Sequence, residues 1–90
     1  MPKKTDLNQR DLVANLRTIP GLSVLDLSGV GKGCPDLLLG YRGQNVLLEV
    51  KNPDRQGQLL TPQQERFFEN WRGQAGLVKT FEEALEALGL

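Results

Sequence analysis

The sequence predicts an α/β fold, a mixed β-sheet flanked by helices, with the elements in the order α-β-β-β-α-β-α. Three observations carry that expectation. Two short apolar runs, 36–40 and 45–51, are separated by an Arg-Gly turn. A further strand-like run precedes them, and another follows a helical segment. Two segments open on Thr with Gln or Glu three residues later, the mark of a capped helix start. Three strands in succession, then a helix and a strand, give a mixed sheet with helices packed on it.

The chain has 90 residues, 39% of them hydrophobic and 24% charged, which suits one small domain. Residues 6–90 are read as that single domain, behind a polar, disordered stretch at 1–5. So small a core is a reason to expect a second copy to share apolar surface. Eleven Lys and Arg balance eleven Asp and Glu, so any nucleic-acid surface has to be local. With no His, imidazole chemistry is excluded. The one Cys, Cys34, excludes an internal disulfide and a Cys-based zinc site, and agrees with a reducing cytoplasm. No apolar run has signal-peptide form or approaches ~18 residues, which argues against secretion and membrane spanning. Carboxylate, lysine, amide and hydroxyl chemistry remains. Carboxylates without histidine point to hard, oxygen-ligated cations.

Residues 6–19 read as a helix with Asp6 as N-cap and Leu12, Val13, Leu16 and Ile19 on one side. Gln9 shares that side; Asp11 lies nearer the solvent face. Pro20-Gly21 stops the helix. Residues 22–27 alternate as a strand, with Leu22 and Val24 on one face and Leu25 and Leu27 on the other. The loop 28–33 carries three glycines but lacks the spacing and the Ser/Thr of a phosphate-binding loop. It is either a plain loop or a backbone kept bare for a ligand, with Lys32 in reach of a phosphate. Strands 36–40 and 45–51 follow, joined through Arg42-Gly43. Their continuous apolar character predicts burial on both faces. On the second, Val46, Leu48 and Val50 face one way and Leu47, Glu49 and Lys51 the other. A polar loop, 52–59, leads to a helix from Thr61 to about Arg72. Thr61, Pro62 and Gln64 form its capping box, and Phe67, Phe68 and Trp71 its inward face. Residues 75–80 make a last strand. Thr80 with Glu83 opens a final helix whose Phe81, Leu85 and Leu88 face inward.

The charged residues that end the two central strands carry the chemistry. Phosphodiester hydrolysis is served by a divalent cation, and Mg²⁺ is commonly held by one or two carboxylates with waters and phosphate. Asp36 and Glu49, on paired strands, can supply those carboxylates, and the Val50 carbonyl a further ligand. Lys51 lies roughly 7 Å beyond Glu49 on the same face, where it can orient a water and offset phosphate charge. A Pro-Asp pair alone is a common turn, and Glu-x-Lys alone is commonly a solvated face with a weak ion pair. Their meeting at neighbouring strand ends is what points to a site.

Gly33-x-Pro35-Asp36, Glu49-Val50-Lys51 and Leu60-Thr61-Pro62-x-Gln64, in that order and at compact spacing, resemble the PD-(D/E)XK nucleases. Within them the chain resembles the virus-type replication-repair nuclease (VRR-NUC) family. The resemblance runs from about Asp6 to the final helix. It implies a restriction-endonuclease-like fold and Mg²⁺- or Mn²⁺-dependent endonuclease activity on DNA, often branched, such as four-way junctions or flaps. It also implies a homodimer, and a place in replication, repair or recombination in the cytoplasm of a bacterial or phage-infected cell. By position, Asp36 and Glu49 become metal ligands, Val50 a carbonyl ligand and Lys51 the catalytic lysine. Gln64 stands where the family has a glutamine close to the active site; capping alone also explains it.

One position departs from the pattern. Such families commonly carry a glutamate on the first helix, and here Gln9 stands in that place. Asp11 or Asp6 can substitute only if the helix is rotated. Lys32, Arg42 and Arg55, with Arg66 and Arg72, are candidate phosphate contacts. Two other readings stay open: a non-catalytic DNA-junction binding module, which Gln9 favours, and a small structural protein whose acids are merely solvated.

Overall fold

The computed structural model describes residues 4–52 and 60–90, with side chains from Gln9 onward. Helix α1 spans Lys4–Leu16, strand β1 Leu22–Asp26, β2 Leu37–Tyr41 and β3 Gln44–Val50. Helix α2 spans Pro62–Asn70, β4 Ala75–Val78 and α3 Phe81–Ala87. The expected element order is the observed one.

Helix α1 starts at Lys4, so Lys4 and Thr5 are helical and Asp6 stands inside the helix instead of capping it. It also ends three residues before the expected Ile19. Pro20 disfavours helical geometry at the residue before it. The chain tightens accordingly, with the N–H groups of Thr18 and Ile19 donating to the carbonyls of Asn15 and Leu16.

The sheet order is β1-β2-β3-β4. β1–β2 and β2–β3 are antiparallel and β3–β4 parallel, so the sheet is mixed and α2 makes the crossover that parallel pairing needs. At the β2–β3 turn Arg42 (φ 52°) and Gly43 (φ 77°) are both left-handed, the geometry of a two-residue type I′ hairpin. Tyr41 therefore pairs with Gln44, and the register carries Leu37 opposite Leu48.

Helices α1 and α3 share one face of the sheet. Leu12 and Leu16 of α1 and Ala84 of α3 pack with Leu37, Leu39, Val46, Leu48, Val50 and Val78 into the core. Leu16, Leu37, Leu39 and Leu48 are fully buried. Each contributes on the order of 1.5–3 kcal/mol. Residues 46–50 of β3 are buried on both faces, as expected. Leu25 is not: at the edge strand it is 55% exposed.

Helix α2 lies on the opposite face and has no buried residue. Phe67 and Phe68 are half-buried and Trp71 is 47% exposed, so the expected inward aromatic face is not core. The aromatics pack on one another: Phe67 and Trp71 stack at 5.2 Å between centroids. The Thr61 capping box forms in full. In α3 only half of the second box forms. Thr80 caps the Glu83 N–H, but the Glu83 carboxylate reaches the Lys79 N–H at 2.6 Å, one residue further back than expected. Ala84 is the buried residue of α3, with Phe81 and Leu88 partly buried against the core.

Candidate active site

Antiparallel register brings the site together. Leu37 pairs with Leu48, so Asp36, one step before β2, comes opposite Glu49, one step further along β3. β3 then outruns β2. The Val50 N–H, pointing toward β2 with no strand there to meet it, donates to Asp36 Oδ2 at 2.9 Å. A residue's carbonyl points to the same side of a strand as its N–H. The Val50 carbonyl therefore faces Asp36 too, while the next N–H, of Lys51, turns the other way to the Val78 carbonyl at 2.9 Å.

Glu49 is 3% exposed, an acid sealed into the sheet. Lys51 Nζ lies 3.4 Å from its Oε2. Gln64, in the first turn of α2, joins the two. Its Oε1 accepts from Lys51 Nζ at 3.0 Å and from the Thr61 N–H at 2.9 Å, while its Nε2 donates to Glu49 Oε2 at 3.0 Å. The amide orientation follows from its partners, since the Thr61 N–H and the ammonium can only donate. Capping and site contact are thus made by the same amide at once.

Burial, then the neighbouring Asp36, pushes Glu49 up to about 7 despite Lys51. Burial also raises Asp36, against the Val50 N–H and Lys51. Glu49 Oε1 is buried and has no hydrogen-bond partner among the described residues. A desolvated carboxylate pair with an oxygen left open is short of positive charge. The donors are all oxygen, the chemistry of a hard divalent cation, so the residues present fit Mg²⁺ or Mn²⁺. Among the described residues no third His, Cys, Asp or Glu completes a cluster.

The remaining predicted residues fall elsewhere. Gln9 is half-buried on α1 and lines a groove with Arg10, Val13, Arg17, Asp26 and Ser28. That groove adjoins the site through the Leu27 N–H, which donates to the Asp36 carbonyl at 2.7 Å. No hydrogen bond among the described residues joins Gln9 to Asp36 or Glu49. Asp11 is exposed, and the Asp6 side chain lies outside the described residues. Lys32 is exposed in the loop that leads to Asp36. Arg42 sits at the far end of the hairpin, six residues and roughly 20 Å of strand from Asp36, with its guanidinium 5.1 Å above the Tyr41 ring. It does not join the cluster. Arg55 lies outside the described residues, as does most of the 52–59 loop. Arg66 and Arg72 are exposed. The Cys34 thiol is raised by burial, then by Asp36 and Glu49, which keeps it protonated and un-nucleophilic.

Two contributions escape a sequence reading. The Val50 N–H holds Asp36, where only the Val50 carbonyl is expected to act. Asn52, which reads as the first residue of a polar loop, is 4% exposed directly after Lys51.

A solved structure described as a VRR_NUC domain matches over 98% of this chain and 97% of its own length, with 26% sequence identity and a TM-score of 0.71. The chain shares the fold of a VRR-NUC domain. No protein-family model and no curated protein matches the sequence. The likeness to a VRR-NUC fold covers the whole arrangement just described, from α1 to α3.

Proposed function

We propose that this domain is a metal-dependent DNA endonuclease that hydrolyses phosphodiester bonds and prefers branched DNA such as four-way junctions or flaps. The observation that carries the reading is the buried Glu49 beside the half-buried Asp36, with Glu49 Oε1 open and Lys51 Nζ next to it. Asp36 and Glu49 are the residues to hold Mg²⁺ or Mn²⁺, with the Val50 carbonyl facing the same space. A bound divalent ion supplies Lewis-acid stabilisation of charge on the phosphate. Lys51 orients the attacking water and offsets phosphate charge, and Gln64 holds Lys51 and Glu49 in register with each other. Gln9, a neutral amide in the groove beside Asp36, is placed for a water and not for strong ligation. Lys32 contacts phosphate at the loop leading to the site.

Shape selectivity rests on economy. The described residues offer the sheet, three helices and short connections with which to read base edges. A homodimer is part of the proposal: Leu25 on the edge strand and Val30 are 55% and 59% exposed, apolar surface that a second copy can cover. Two sites would then face opposite strands of one junction.

The test is a panel of duplex, single-strand, flap and four-way junction DNA with Mg²⁺ and Mn²⁺. Cleavage of the branched members is expected, and Lys51→Ala lowers it by about 10²-fold or more. Full activity in a well-purified Glu49→Ala protein would sink the assignment. The pairing of two acids, with no third among the described residues, favours one alternative, a non-catalytic junction-binding module. Tight binding of branched DNA with no turnover in either metal would select it.

A further inference from the structure

We propose that Gly33 is a positioning residue of the site, acting through helix α2 on Gln64. The proposal rests on the nuclease reading only for its kinetic readout.

The Cys34 N–H donates to the Gly31 carbonyl at 3.0 Å, closing a turn with φ 58° at Lys32 and 80° at Gly33. Both central residues are left-handed, as in a type I′ turn. The turn presses on the first turn of α2. A Cβ added at Gly33 would lie 2.5 Å from the Gln63 oxygen, 2.7 Å from its carbonyl carbon and 3.1 Å from the Gln64 nitrogen. These are backbone atoms, which cannot swing aside as a side-chain end can. At Gly29, Gly31 and Gly43 the same added Cβ meets open space. The bareness at Gly33 serves the approach of a helix.

That contact matters because the core does not seat α2. No α2 residue is buried, so packing does little to fix its first turn. Among the described residues, the start of α2 is held by the Thr61–Gln64 box, the Gln64 bonds to Glu49 and Lys51, and the backbone of Gly33. On its other side the turn runs through Pro35, which is fully buried, into Asp36. One segment therefore supplies a carboxylate and, three residues earlier, the stop against which the amide-bearing helix rests. The two Gln64 bonds to site residues are each 3.0 Å. Hydrogen bonds of that kind are lost when the partners part by about 0.5–1 Å.

The experiment compares Gly33→Ala, Gln64→Ala and the double variant; Lys32→Asn, which suits the same left-handed turn, is a control for the spectrum alone. The first readout needs no activity. It is the ¹⁵N spectrum of the Gln64 side-chain amide, identified by its loss in Gln64→Ala. In Gly33→Ala this pair is expected to move to the position of a free glutamine, and in Lys32→Asn to stay. The second readout is kinetic, on the branched substrate that wild type cuts. Gly33→Ala is expected to lower kcat about 10–100-fold with KM changed less than about threefold. The double variant is expected to be no worse than Gln64→Ala, because the two changes break the same contacts.

Should Gly33→Ala fold poorly, Gly33→Asn tolerates the left-handed backbone better and keeps the clash. The same amide displacement is expected there. An unmoved Gln64 amide in either Gly33 variant, or kcat losses that multiply in the double variant, would overturn the proposal. Failure of both variants to fold would assign Gly33 to the fold alone and overturn it equally. If wild type cuts no DNA, the nuclease reading fails, and the amide spectrum still decides the positioning role.

Discussion

On the face covered by α1 and α3, β3 contributes Val46, Leu48 and Val50 to a continuous apolar core. On the other face the same strand contributes Leu47 and Glu49, with Lys51 just past its end, under a helix that has no buried residue. The two faces differ by one residue step along one strand, yet one is held by packing and the other by directed polar bonds. A strand's alternation lets a 90-residue chain keep both. The core face makes the sheet rigid, and the rigid sheet holds a desolvated acid pair that would not persist on a mobile scaffold.

The difference is open to being broken from either side. Leu48→Ala should do the most damage, costing about 3–4 kcal/mol, because Leu48 is fully buried and the cavity cannot collapse freely. Urea unfolding would show it, and an effect below about 1 kcal/mol would mean the core face is not what holds the sheet.

One residue along, Glu49→Gln should act in the opposite direction on stability. The Glu49 carboxyl is raised from an ordinary 4.5 to about 7. A raised acid costs the folded state stability as pH climbs from the unfolded value through the folded one, and the cost is complete above it. In the presence of EDTA at pH 8, Glu49→Gln should therefore be more stable than wild type, by up to about 3 kcal/mol. The gap should close below about pH 4, where both forms are neutral. Mg²⁺ or Mn²⁺ should raise the Tm of wild type and leave Glu49→Gln unmoved. Melting curves across pH, with and without metal, check all of this together, and cleavage by the variant should be lost.

A smaller change separates the two duties of Gln64. Thr61→Ala removes a helix cap and should cost about 1 kcal/mol, with Thr61→Ser restoring most of it. Gln64→Glu keeps an acceptor for the Thr61 N–H but loses the donor to Glu49. The cap should survive, but the added carboxylate lies against Glu49 Oε2, so metal-free stability should fall as pH rises above the carboxylate range, and cleavage should fall sharply. A variant that keeps full cleavage would mean that capping is all Gln64 does. The smallest effect belongs to Arg42→Ala. Its cation–π contact with Tyr41 is exposed and worth about 0.5 kcal/mol. At the far end of the hairpin it should leave DNA affinity, read by fluorescence anisotropy, unchanged.

How much of this is legible in the sequence depends on whether the governing interaction is local. The hairpin is legible because Arg42-Gly43 is itself the turn and the apolar runs flank it directly. The α2 start is legible because Thr61, Pro62 and Gln64 satisfy one another's backbone groups within four residues. The end of α1 is misread by three residues, because the apolar stripe continues to Ile19 while Pro20 already bends the chain. The aromatics of α2 mislead for a different reason. Periodicity shows that Phe67, Phe68 and Trp71 share a side, but not whether anything lies there to bury them.

By itself the sequence determines the order of elements, the hairpin and its register, and so the meeting of Asp36 with Glu49. These rest on turn chemistry and period-two alternation, which act between neighbours. Tertiary structure alone decides that Gln64 bridges Lys51 and Glu49, that Gly33 lies against Gln63, and that Gln9 faces the α1–β1 groove. Those contacts join segments far apart in the chain, and their distances depend on how the helices settle on the sheet. The same holds for the electrostatics. Glu49 is an ordinary glutamate in the sequence, and burial beside Asp36 is what gives it its unmet demand for positive charge.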